Sequence, residues 1–72
     1  MDVTVHCNLR RLRKSRGYSQ RQLSEIVGID KGNISRYEAQ VEGMRVETAV
    51  KFAIVLGCTL DQLFTYSSAG ED

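Results

Sequence analysis

A chain of 72 residues, 42% hydrophobic and 26% charged, without proline and with a formal net charge of +1, is sized for one domain around one small core. It holds no apolar run of membrane-spanning length and no leader-like apolar segment at its start, so no membrane association and no secreted disulfide scaffold are expected. A single histidine and two cysteines, Cys7 and Cys58, without CxxC spacing, supply no metal set; no metal or other cofactor is expected, and the thiols are read as free in a reducing cytoplasm.

Val3–Thr4–Val5 is a β-branched run too near the start for a core helix and predicts a short strand. Asn8 is placed to cap a first helix over Leu9 to about Arg16, with Leu9 and Leu12 on its inner face and Gly17 as its stop. Ser19 and Gln22 form an S-x-x-Q capping box that opens a second helix, Gln20 to Val27, ended by Gly28. Asp30 caps a third helix, Lys31 to about Ala39, and its carboxylate suits the positive helix end. Gln40 to Met44 reads as a loop. A fourth helix follows from about Val46 to Leu56, stopped by Gly57, and Thr59 with Gln62 makes a second capping box for a short fifth helix, Leu60 to Phe64. Thr65 to Asp72 is polar; it either frays or, through Thr65 and Tyr66, pairs with the first strand. The chain thus divides into an N-terminal strand or arm over 1–8, a helical domain over 9–64 and a polar tail over 65–72. The class is all-α, a compact set of five helices with a two-stranded terminal pairing as an option.

Gln20 to Ala39 is the most informative window. Leu23, Val27, Ile29, Ile34 and Tyr37 put apolar side chains where two crossed helices touch. Ser24 is small where their backbones come closest, and Gly28 stands at the sharp turn. This is the pattern of a helix-turn-helix, whose second helix enters the DNA major groove. The charge distribution agrees. Residues 1–36 hold eight Lys/Arg against three acids, a balance of +5, while residues 37–72 hold two against six, a balance of −4. A chain polarised in this way can turn one face to phosphate. With Ile34 and Tyr37 directed inward, Lys31, Gly32, Ser35 and Arg36 point outward as base-reading positions. Arg36 and Lys31 can donate to guanine O6 and N7, and Gly32 permits close approach to a thymine methyl or the backbone.

The segments LRRLR, GYSQRQLSEIVGI, NISRYE and FAIVLGCTLDQLF, in that order between Leu9 and Phe64, resemble the lambda-repressor-like (Cro/repressor, XRE) helix-turn-helix family. The resemblance implies a five-helix DNA-binding domain acting on double-stranded DNA. It also implies that Gln20 bonds a phosphate and braces the recognition helix, and that Arg13 pairs with Glu38 at the end of that helix. Ser19, Asn33 and Arg45 are further phosphate candidates on this scaffold. The chain departs from the family pattern at Ser24, where Ala is usual, at Met44, where Pro is frequent, and at Glu42, where basic residues are common.

Val46, Ala49, Val50, Phe52, Ala53, Ile54, Val55 and Leu56 make the fourth helix apolar nearly all round, more than a small core can cover. The surplus is read as a two-fold homodimer surface formed by Ile54, Leu60 and Phe64; the alternative is that the terminal strand segments lie over this helix. The expectation is a stand-alone transcriptional regulator, a repressor of a pseudo-palindromic operator, with no room for a sensor domain and with control left to concentration, competition or a protein partner. The rival readings are an antitoxin of a toxin–antitoxin pair and a restriction–modification controller. No grouping of residues suggests an enzyme.

Overall fold

The computed structural model describes residues 1–40 and 43–69 of the chain. A strand, β1 (Asp2–Cys7), leads into α1 (Leu9–Ser15), α2 (Gln20–Val27), α3 (Lys31–Ala39), α4 (Val46–Leu56) and the single-turn α5 (Leu60–Leu63), and the chain returns as β2 (Phe64–Ala69). The two strands pair antiparallel, with Cys7 opposite Phe64 and Asp2 opposite Ala69. No helix among the described residues is long and apolar enough to cross a membrane.

The helices begin and end for local reasons. Both capping boxes are formed: Ser19 Oγ accepts from the Gln22 N–H while Gln22 accepts from the Ser19 N–H, and Thr59 with Gln62 does the same. Asp30 accepts from the Gly32 N–H at 2.9 Å and so caps α3. Gly28 (φ +73°) and Gly57 (φ +64°) end α2 and α4 in the left-handed conformation that a Cβ disfavours. The last turn of α4 is further satisfied by Arg16, whose Nε donates to the Leu56 carbonyl at 2.9 Å. A cation there also suits the negative helix end.

Between the helices, Leu9 and Leu12 of α1, Leu23 of α2, Ile34 of α3, Ala49, Phe52 and Leu56 of α4 and Leu63 of α5 form one buried cluster. Tyr37 meets Phe52 edge to face, with ring centroids 6.3 Å apart. Burial of each large side chain in this set contributes about 1.5–3 kcal/mol. The inward direction of Ile34 is what turns the opposite side of α3 to solvent.

Three local expectations need correction. Asn8 does not cap α1 with its side chain. Its Nδ2 donates instead to the Gln62 carbonyl at 3.1 Å, and its N–H donates to the Leu63 carbonyl at 2.7 Å. The strand ladder holds its backbone out of the extended conformation that capping requires. The fifth helix stops at Leu63, because Phe64 (φ −121°, ψ 137°) is already extended and paired with Cys7. Of the two readings of the C-terminal segment, strand pairing is the one found, and it runs to Ala69. In the expected loop, Val41 and Glu42 lie outside the described residues, so the departure noted at Glu42 has no structural counterpart here.

The fourth helix is resolved into two sides. Ala49, Phe52, Ala53 and Leu56 are buried, while Val46 (75% exposed), Val50 and Ile54 (73%) form a stripe spaced four residues apart on the outside. The strands do not cover it: they stand on α3 and α5, and the molecule measures 43 × 20 × 19 Å.

Candidate nucleic-acid interface

The α2–turn–α3 unit is closed by a bond that the sequence pattern did not reveal. Ser24 Oγ donates to the Ile29 carbonyl at 2.6 Å, across the turn that Gly28 makes. An alanine would fit the space but leave that carbonyl unpaired. The serine here therefore both allows the close approach and ties α2 to the entrance of α3.

The far end of α3 is fixed by Glu38. Arg13, its side chain 8% exposed, donates from Nε at 2.5 Å and from Nη2 at 3.2 Å to the Glu38 carboxylate, whose side chain is 5% exposed. Arg13 Nη1 also donates to the Tyr18 carbonyl at 2.9 Å, and Gln20 Nε2 donates to Glu38 Oε1 at 3.0 Å. One carboxylate therefore joins α1, α2 and α3. Burial pushes the Glu38 carboxyl up, but the hydrogen bonds from Arg13 and Gln20 and the charges of Arg13 and Arg10 outweigh it and hold the group below its ordinary range. Gln20 reaches Glu38 from the first turn of α2, where the backbone N–H groups have no partner within the helix and can meet an anion.

Above this brace lies an open cleft of about 670 Å³. Of the positions singled out from the sequence, the cleft brings together Ser19, Gln20, Lys31 and Ser35, with the Arg13–Glu38 pair at its base. Lys31 and Ser35 are one helical turn apart and exposed, and Arg36 is exposed beside them without lining the cleft. Gly32 is exposed, and a Cβ there would lie 2.8 Å from Asp30 Oδ2; its bareness leaves room for the cap as well as for a ligand. Asn33 is half-buried. Arg45 is exposed at the start of α4 and lies 3.7 Å from Glu47, outside the cleft.

Two cations lining the cleft were not singled out from the sequence: Arg10 of α1 and Arg21 of α2. Arg10 stands one turn before Arg13 on the same helix, and Arg21 follows Gln20 in the first turn of α2, so each had a positional signal once a neighbour was assigned. Arg21 is exposed, and its only ion-pair partner among the described residues is Glu25, at 3.6 Å. A pair so exposed is worth little and yields readily to a phosphate. With Lys31, these arginines make the cleft cationic, and Ser19, Gln20 and Ser35 add neutral hydrogen-bonding groups. Such a surface suits a polyanion with hydrogen-bonding edges.

The expected dimer residues are placed differently from one another. Ile54 is exposed, Leu60 is 39% exposed, and Phe64 begins β2 and packs partly against its own core rather than projecting from α5. Cys7 and Cys58 are free and half-buried. Burial pushes the Cys7 thiol up, and the charge of Glu38 adds to this against a backbone hydrogen bond at Leu9.

A family model described as helix-turn-helix matches residues 9–63. Among solved structures, a crystal structure of SinR, described as the master regulator for biofilm formation and determined in complex with DNA, is similar at a TM-score of 0.71. The two chains share 26% identity, with 78% of this chain and 90% of that one covered. A hypothetical transcription factor from Neisseria, NHTF, is similar at a TM-score of 0.71 and 30% identity, over 78% of this chain and 63% of that one. No curated protein sequence matches.

Proposed function

The chain belongs to the helix-turn-helix family, and from that premise we propose that it represses transcription by binding a pseudo-palindromic operator as a homodimer. It is a DNA-binding transcriptional regulator of the XRE type. The observation that carries the finer reading is the brace at Glu38: it locks α3 to α1 and α2 while Lys31, Ser35 and Arg36 remain exposed beside a cationic cleft.

In this reading, Ser19, Gln20, Asn33 and Arg45, with Arg10 and Arg21 added, hold the phosphate backbone and set the register of α3. Lys31, Gly32, Ser35 and Arg36 meet base edges, with Arg36 and Lys31 favouring guanine in each half-site. The exposed stripe of α4, centred on Val50 and Ile54, together with Leu60, forms the two-fold contact. That contact would set the recognition helices about 34 Å apart, one turn of DNA. Repression follows from occupying a promoter with a small protein, in the cytoplasm to which the two free thiols are suited.

Selection of bound sequences from a random DNA pool, followed by titration at several salt concentrations, tests the proposal. Log K should fall by about 0.9 per phosphate contact for each decade of salt. Gln20→Ala should weaken binding to every sequence, whereas Arg36→Ala should cost roughly 1–3 kcal/mol and relax one position in each half-site. Salt-independent binding, or a uniform loss with Arg36→Ala, would refute the assignment of roles.

A further inference from the structure

The paired strands are a second feature that the DNA-facing surface does not use. All of β1 but Cys7 is exposed, and neither Asp2–Cys7 nor Phe64–Ala69 contains a lysine or arginine, so the ribbon has nothing with which to grip phosphate. Its alternation is strongly two-sided. Val3, Val5 and Tyr66 lie on one face and are 52%, 41% and 78% exposed, while Asp2, Thr4 and His6 lie on the other. A two-stranded ribbon with an open apolar face and two open edges is marginal in water by itself; a third or fourth strand is what makes such a sheet stable.

The hydrogen-bond parity of β1 says how another strand would add. Asn8 donates to the carbonyl of Leu63, the residue opposite it, which marks the pair as one that exchanges ladder bonds. Alternation then gives the same character to His6–Thr65 and Thr4–Ser67. Val3 and Val5 accordingly turn their N–H and C=O groups to the outer edge.

From this we infer that β1 pairs antiparallel with β1 of a second copy of the chain, centred on Thr4, to make a continuous four-stranded sheet. In that register Val3 lies opposite Val5 of the second copy, and the outward groups of each pair satisfy one another. Asp2 faces His6 of the second copy at both ends, an acceptor against a donor, and no like charges meet. The valines of both copies join into one apolar patch flanked by the two Tyr66 rings. A register centred on Val5 would drive Val3 against Cys7, which packs on the helical core, and so run the second strand into the body. One centred on Val3 loses most of the overlap. The outer edge of β2 offers no charged residue to fix a register. This contact is separate from the α4 stripe and needs no DNA.

Cysteine crosslinking without DNA tests it. In a Cys7→Ala, Cys58→Ala background, Thr4→Cys places two thiols across the axis at a Cα separation of about 4.5 Å, within disulfide range. Mild oxidation should convert most of the protein to a covalent dimer. Val3→Cys or Val5→Cys alone should crosslink several-fold less, and a mixture of the two should recover the dimer. Adding Val5→Pro to Thr4→Cys removes an outward N–H without breaking a bond to β2, and should abolish the crosslink in a protein whose helical circular dichroism is unchanged. A Thr4→Cys protein that stays monomeric overturns the inference. So does a Ser67→Cys protein that crosslinks as well as or better than Thr4→Cys, since it would move the contact to β2. Equal crosslinking at all positions would mean random collision and refute it too.

Discussion

Replacing Glu38 with glutamine isolates the contribution of the brace to the fold. The carboxylate accepts two bonds from Arg13 and one from Gln20, and both members of the ion pair are less than one-tenth exposed at the side chain. Glutamine keeps the shape but turns an NH2 group towards guanidinium donors, leaving Arg13 with the Tyr18 carbonyl alone. Stranding one charge of a buried pair costs roughly 3–5 kcal/mol. A domain of this length has a total stability of about 4–11 kcal/mol, so the variant should lose a large fraction of it. Its melting temperature, followed by circular dichroism, should fall by at least ~12 °C. Arg13→Met should behave alike. The double variant Arg13→Met/Glu38→Leu should lose less than the two single losses added together, because neither charge is left unpaired. Single variants that melt within a degree or two of the parent would refute the reasoning. The pair would then contribute nothing net, and α3 would owe its position to packing around Ile34 alone.

The same carboxylate sets a pH dependence. Its folded pKa lies below the ordinary value of 4.5, so its contribution is complete above that value and is lost as pH falls through the lower, folded one. Denaturant titrations from neutral to acid pH should show this loss, and Glu38→Gln should lack that part of it. Arg10→Ala and Arg21→Ala should each reduce the salt slope of DNA binding by about 1 while leaving sequence preference unchanged; a changed preference would place them at bases instead. Ile54→Glu would set like charges across the proposed α4 contact, so sedimentation should show a monomer and operator affinity should collapse with no DNA contact altered. An Ile54→Glu protein that remains dimeric through that surface would count against it.

What the amino-acid order determined by itself is what depends on neighbours three or four residues apart. The capping boxes at Ser19 and Thr59, the Asp30 cap and the glycine stops each complete their bonds within one helical turn. The same is true of the direction of Ile34, which follows from helical period and exposes Lys31, Ser35 and Arg36 on the opposite side. Tertiary structure decided whatever depends on partners brought from far along the chain. Asn8 satisfies carbonyls at Gln62 and Leu63 rather than the adjacent helix, and Phe64 leaves α5 because Cys7 waits across the ladder. Arg10 and Arg21 acquire a shared role only when α1 and α2 are packed with Lys31 at one cleft. The apolar surplus of α4 is likewise a fact of composition, but its sorting into a buried side and the exposed line of Val46, Val50 and Ile54 comes from where the other helices lie. A local bond is formed wherever its two residues are neighbours, whereas a long-range one exists only where the folded core holds its partners together.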